Sequence, residues 1–288
     1  LMTDIYVSGS RDKRPNRLRE LIAACEELIL EKLAAGDNIL MVVNSYEDAK
    51  VANQGIKNIL QDRNKEYKTL HVVPDSNNSE DEETLKQGKL DAFVSKNARI
   101  LVAPAIIIER GHNIVDEKGN AAFDTLIFLT RPMPRPDDYA AHVAKVNGFI
   151  MSEYTEKNET IHMEFFKKMR KDAYRLYGLF DQDAERLEDV DPFVQKDIVV
   201  TLFVMILQIF GRLCRIGNRE DMKTRAPDVY FADASFKAGK PGGFDFLNCL
   251  VGYLESILFK DDVDGAVAKT LYEPFYIALK KGRNIYEK

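Results

Sequence analysis

Cysteine is scarce in this chain: three among 288 residues, at positions 25, 214 and 249. Their odd number and wide separation argue against a disulfide framework and a clustered zinc or iron–sulfur site, and suit a reducing, cytoplasmic setting. Basic charge is not in excess either. Lysine and arginine number 41 against 46 acidic residues, a formal net charge of −5. No global positive field exists, so any contact with nucleic acid must come from a local patch. The opening stretch LMTDIYVSGS is short and polar, unlike a signal peptide, and the first methionine stands behind Leu1, which suits a fragment of something longer. The longest apolar run, IVVTLFVMIL at 198–207, is shorter than a bilayer requires. It reads as a buried helix, and no membrane partner is expected. A Gly-x-x-x-x-Gly-Lys-Ser/Thr loop is missing, as is a strand ending in an Asp-Glu pair. AGKPGGFD at 238–245 has the glycines but not the order. The acidic DEE at 81–83 follows asparagines and serines rather than a strand end, and reads as a solvated loop.

What is present alternates. Residues 16–35 carry apolar positions at helical spacing, ended by Gly36 and Asp37. Ile39 to Val43 form a continuous apolar strand, and 46–62 read as a helix. Further strands are expected at 68–73, from Ile100 to Ala103, within 123–138, and at 228–234. Uninterrupted apolar strands separated by helices imply an α/β domain with a mostly parallel sheet flanked by helices. Ligands bind such sheets at the carboxyl ends of their strands. Asn44 and Ser45, then Glu109 to Asn113, then Arg131 to Arg135 fall there. Residues 138–197 interrupt the alternation as a helical insertion, and 241–288 form a helical C-terminal extension. The sheet domain is accordingly expected over 1–137 and 198–240.

The apolar run at 198–207 leads into QIFGRLCRIGN, 208–218. Gln208, Arg212 and Arg215, spaced i, i+4 and i+7, share one helix face. Gly211 sits beside them, where glycine costs roughly 1 kcal/mol relative to alanine. A fixed pair of guanidiniums at the rim of a core helix suits a phosphate-facing device.

Taken in order, ILMVVNSYEDA, LDAFVSKNARILVAPAIIIERGHNI, FDTLIFLTRPMPRP and QIFGRLCRIGN resemble the second RecA-like domain of superfamily 2 helicases. The first matches that family's motif IV, the second motif V and the last motif VI, whose Gln-x-x-Gly-Arg-x-x-Arg pattern is complete. The long gap before motif VI resembles the DNA-repair type more than the DEAD-box type. The resemblance implies a RecA-like, P-loop NTPase fold without its phosphate loop. It implies half of an ATP-dependent motor on nucleic acid, DNA rather than RNA, with ATP and Mg²⁺ held by a first RecA-like domain of the same protein. Arg212 and Arg215 would act as arginine fingers, with Gln208 near the γ-phosphate or the attacking water. Gly211, Glu109, Arg110, Gly111 and Asn113 would lie at the nucleotide. The isolated chain would not hydrolyse ATP. Pro104 stands where motif V often has threonine, and Asn113 where many relatives have aspartate. Those departures leave room for a docking module that kept the fold without the catalysis.

Several residues carry two readings. Asn44 and Ser45 suit phosphate contacts and equally suit capping of the next helix. His112 suits a ligand contact or a bond within its loop. In EFFKKMRKDAYRLYGLF, 164–180, Lys167, Lys168, Arg170 and Lys171 alternate with aromatic rings. That pattern fits a track for single-stranded nucleic acid, or an amphipathic helix with an aromatic core and a basic solvent face. A stand-alone α/β enzyme acting on a nucleotide or phosphate is disfavoured by the absence of a glycine-rich loop after the first strand.

Overall fold

The structure, a computed structural model, describes residues 14–77, 81–109, 111–112, 114–132, 139–155, 163–180, 191–214, 227–237 and 244–286. The chain divides into two compact units, residues 1–132 with 202–288, and residues 133–201. The first contains a six-stranded, all-parallel sheet flanked by helices, consistent with a RecA-like layout. In chain order its strands are β1 (Ile39–Val43), β2 (Thr69–Val73), β3 (Thr84–Lys86), β4 (Ile100–Pro104), β5 (Thr125–Phe128) and β6 (Asp228–Phe231). They lie side by side as β3-β2-β4-β1-β5-β6. Every residue of β1, β2, β4 and β5 is buried, as strands covered on both faces must be.

The pleat assigns side chains to the two faces. Ile39, Met41, Val43, Ile100, Val102 and Ile127 pack against Leu18, Ile22, Ile29, Ala52 and Ile56 of three helices: α1 (Arg14–Ala24), α2 (Glu26–Ala34) and α3 (Tyr46–Asp62). Phe128 starts a chain of rings on the opposite face. It stacks on Phe231 at 5.3 Å between centroids, Phe231 meets Phe236 at 4.8 Å, and Phe236 meets Phe246 at 5.8 Å. Phe246 opens α8 (Phe246–Leu258), which pairs with α9 (Val263–Tyr286), so both C-terminal helices belong to the unit that holds the sheet.

Local departures from the expected elements have local causes. The helix expected over 16–35 is two helices broken at Cys25 (φ −90°, ψ 1°), whose N–H is shared between the carbonyls of Leu21 and Ile22. The break lets Ile29 and Leu33 keep facing the core already met by Leu18 and Ile22. Burial pushes the Cys25 thiol up to about 11, so it packs as a small apolar group. β3 escapes detection by pattern because three residues cannot display a period. It is held by pairing His71 with Thr84 through Val73 with Lys86. The acidic loop before it is exposed at Asp81 and Glu82, while Glu83 ion-pairs with Lys57 of α3. Among the described residues no group of three or more His, Cys, Asp or Glu is placed to hold a metal ion.

His71, on β2, is buried, and its Nδ1 lies 3.3 Å from Asn53 Nδ2. Asn53 can only donate there, which requires an unprotonated Nδ1. Burial lowers the His71 pKa, against the opposing pull of Asp81 and Glu83 and with help from Lys50. The unfolded chain therefore takes up the proton first, near its ordinary value of 6.5. Stability from this group is full above that value, is lost as pH falls below it, and levels off beneath the folded value. Urea unfolding at about pH 7.5 and about pH 5 should show a smaller difference in His71→Gln than in the parent.

The second unit contains α5 (Tyr139–Thr155), α6 (Met163–Phe180) and the beginning of α7 (Pro192–Leu213). Val146, Ile150 and Leu176 form its small core, with Phe149, Met169, Ala173 and Tyr177 packed around them. Lys145 bonds Asp197 at 2.5 Å and Thr201 at 3.2 Å. α7 continues past the apolar run to 22 residues. Contrary to the expectation from the run alone, its segment Val194–Leu213 is long and apolar enough to cross a membrane by length and composition. Within the first unit its apolar side chains have protein partners. Phe203 meets Tyr253, Tyr272 and Phe275, and Phe210 meets Phe275, at centroid distances of 5.6 to 6.2 Å.

Candidate functional site

Because every strand is parallel, the segments after β1, β4, β5 and β6 emerge along one edge of the sheet. From β1 the chain crosses to β2 on one side, and from β5 it passes to β6 on the other. The crevice between β1 and β5 is therefore the switch point, where ligands of open parallel sheets bind. Asn44 bridges it, its Nδ2 donating to the Arg131 carbonyl at 3.0 Å. Ser45 caps α3: its extended backbone (φ −145°) leaves Oγ free to accept from the Asp48 N–H at 3.1 Å. Both side chains proposed for phosphate contact thus already make bonds within the fold.

After β4 comes a single helical turn, α4 (Ala105–Glu109). Pro104 occupies the last strand position, opposite Val43, where the ladder ends and a missing N–H costs least. Gly111 follows with φ +102°, a conformation that side chains resist. A Cβ built on it would lie 4.0 Å from Arg212 Nη2. That same nitrogen donates to the Glu109 carbonyl at 3.2 Å. The C-terminal end of α7 and the turn after α4 are thus brought together across 103 residues of sequence. On α7, Gln208 and Gly211 are exposed and Arg212 is half-buried. A Cβ at Gly211 would meet nothing within 4 Å. His112 is half-buried beside Gly111. Arg110, Asn113, Arg135 and Arg215 lie outside the described residues.

Pattern reading missed a second cluster on this edge. Asp233, two residues beyond β6, is buried and gathers three donors: Arg17 Nη2 at 2.7 Å, the Ser235 N–H at 2.9 Å and the Arg131 N–H at 3.2 Å. Arg131 Nη1 donates to the Ser235 carbonyl at 2.8 Å. Burial lowers the Arg131 pKa, Asp233 opposes that fall and Arg17 adds to it. An acidic residue just past an edge strand is a weak signal, and Arg17 lies 216 residues away in sequence. No spacing rule joins them.

In the second unit, Lys167, Lys168, Arg170 and Lys171 are all exposed on α6. Arg170 Nη2 donates to the Tyr174 hydroxyl at 3.3 Å, with the guanidinium 5.5 Å from the ring centroid. No family model matches this chain, and neither a curated protein nor a solved structure does.

Proposed function

We propose that this chain is the second RecA-like lobe of a superfamily 2 helicase or translocase acting on DNA. It supplies Arg212 and Arg215 to ATP and Mg²⁺ held by a companion lobe. The observation that carries the proposal is the bond from Arg212 to the Glu109 carbonyl, which joins motif VI to the motif V turn at the ligand-binding edge of a parallel sheet. An arginine suits the task because its charge is permanent and its planar fork matches a phosphoryl group.

Gly211 adds support. It lies in a helix and is exposed, and among the described residues no atom comes within 4 Å of a Cβ built on it. Among the described residues no contact repays its poor helix propensity, a feature it shares with Gly148, Gly178, Gly252 and Gly282. A close approach from outside, by the companion lobe or its nucleotide, would explain it. Gly211→Ala should therefore stabilise this chain by up to about 1 kcal/mol, raising Tm by about 2–4 °C. In the two-lobed protein the same substitution should lower ATP turnover. Calorimetry and an ATPase assay on one variant separate the effects. Unchanged turnover with raised Tm would return Gly211 to an accident of sequence.

A further inference from the structure

We infer that the exposed face of α6 is a binding track for single-stranded nucleic acid, formed by Phe166, Arg170 and Tyr174 with Lys167 and Lys171. The inference rests on nucleic acid being the partner proposed above, and its own evidence is the placement of rings and cations in the second unit.

An amphipathic helix that merely completes a hairpin turns its rings inward. α6 does this with only part of its set: Tyr177, with Met169 and Ala173, packs around Val146, Ile150 and Leu176. That core is complete without Phe166 and Tyr174. Those two rings stay 47% and 65% exposed, at a cost that solvent alone does not repay. Phe166, Arg170 and Tyr174 follow at i, i+4 and i+8, so they stand in one row, with Lys167 and Lys171 beside it. The helix carries Lys167, Lys168, Arg170, Lys171 and Arg175 against Glu164 and Asp172, a local positive patch in a chain of net charge −5.

Charge selects a polyanion, and the rings select its kind. A row of cations alone would serve a duplex backbone or an anionic membrane equally. Exposed rings interleaved with cations stack on bases that are unpaired. Phe166 and Tyr174 are separated by about 12 Å along the helix axis, close to three or four stacked nucleotide steps. The bond from Arg170 to the Tyr174 hydroxyl holds ring and guanidinium together, so that one base and its phosphate can be met by a single preset pair.

The test uses the whole chain and a labelled oligothymidylate of about 16 nucleotides, followed by anisotropy across a salt series. Phe166→Leu and Tyr174→Leu should each weaken binding by about tenfold while leaving the salt slope unchanged. The triple variant Lys167→Ala, Arg170→Ala, Lys171→Ala should weaken binding and reduce the slope by about 2, near 0.7 for each cation. A blunt duplex of the same length should bind more weakly than the single strand and ignore the ring substitutions. Equal affinity for duplex and single strand would overturn the inference, as would binding to phosphatidylserine vesicles without binding to the oligonucleotide. Parental affinity in both the ring and the cation variants would overturn it too. Circular dichroism of each variant separates lost binding from lost folding, and the more conservative Phe166→Tyr should keep its affinity. Intact ATP turnover control by Arg212 with no role for α6 would remove this inference alone. The converse result would remove the motor proposal and leave the track.

Discussion

Arg212→Ala, made where this chain is joined to a lobe that holds ATP, is expected to cut ATP turnover by about a thousandfold or more while ATP affinity changes little. The asymmetry follows from where the charges lie. Ground-state binding belongs to a phosphate loop and Mg²⁺, and this chain carries no such loop. In the proposed role the guanidinium would act late, as charge builds on the transferring phosphoryl group, so its loss would appear in kcat rather than in binding. A complication is that Arg212 also donates to the Glu109 carbonyl. Truncation could loosen the turn after α4 and lower turnover indirectly. Arg212→Lys separates the two: it keeps a cation near the turn but loses the planar fork, and so should recover folding fully and turnover only in small part. Wild-type turnover in Arg212→Ala would end the proposal. A large rise in KM for ATP with kcat unchanged would make Arg212 a binding residue instead.

Legibility in the sequence divides by range. β1 begins and ends where the apolar run Ile39 to Val43 does, and α3 starts at the residue after its Ser45 cap, because both depend on neighbours within a few positions. The order of the strands did not follow from any one of them. Two apolar faces show that β1 is covered by helices on both sides, and they do not say that β4 and β5 are its neighbours. Motif spacing located the Gln208 to Arg212 face and the Glu109 turn separately, and only the fold sets the 3.2 Å between Arg212 and Glu109. The same holds for Asn44. Its place after a strand marked it for attention, yet its partner is the backbone of Arg131, which a residue pattern does not encode. The rings of α6 are a different case. Their identities were plain, but a wheel of mixed rings and cations does not say which rings α5 covers: Tyr177 packs in the small core, while Phe166 and Tyr174 stay exposed.

Asp233→Ala should be the most damaging single substitution on the carboxyl edge, costing about 3–5 kcal/mol in urea unfolding with the m-value unchanged. The carboxylate is buried, bonds one cation, Arg17, and two backbone donors at once, and offsets the charge of the nearby Arg131 guanidinium. Without it, Arg17 and Arg131 face each other with no anion between them, and Arg17 already works against the charge on Arg131. The cluster has no slack to absorb the loss: Nε of Arg17, Nε of Arg131 and Oγ1 of Thr130 are buried without hydrogen-bond partners. Asp233→Asn keeps the volume and some acceptor capacity but removes the charge, so an intermediate cost is expected. The repulsion can be tested directly. In an Asp233→Asn background, Arg17→Met should recover part of the lost stability, whereas in the parent it should destabilise. A loss in both backgrounds would mean that Arg17 matters for packing rather than charge. The consequence reaches the switch point, because the Arg131 carbonyl is what Asn44 holds across the crevice. A chain without Asp233 should therefore lose protection from hydrogen exchange first in the segments after β1 and β5, while the β1–β4 pairing stays protected up to global unfolding.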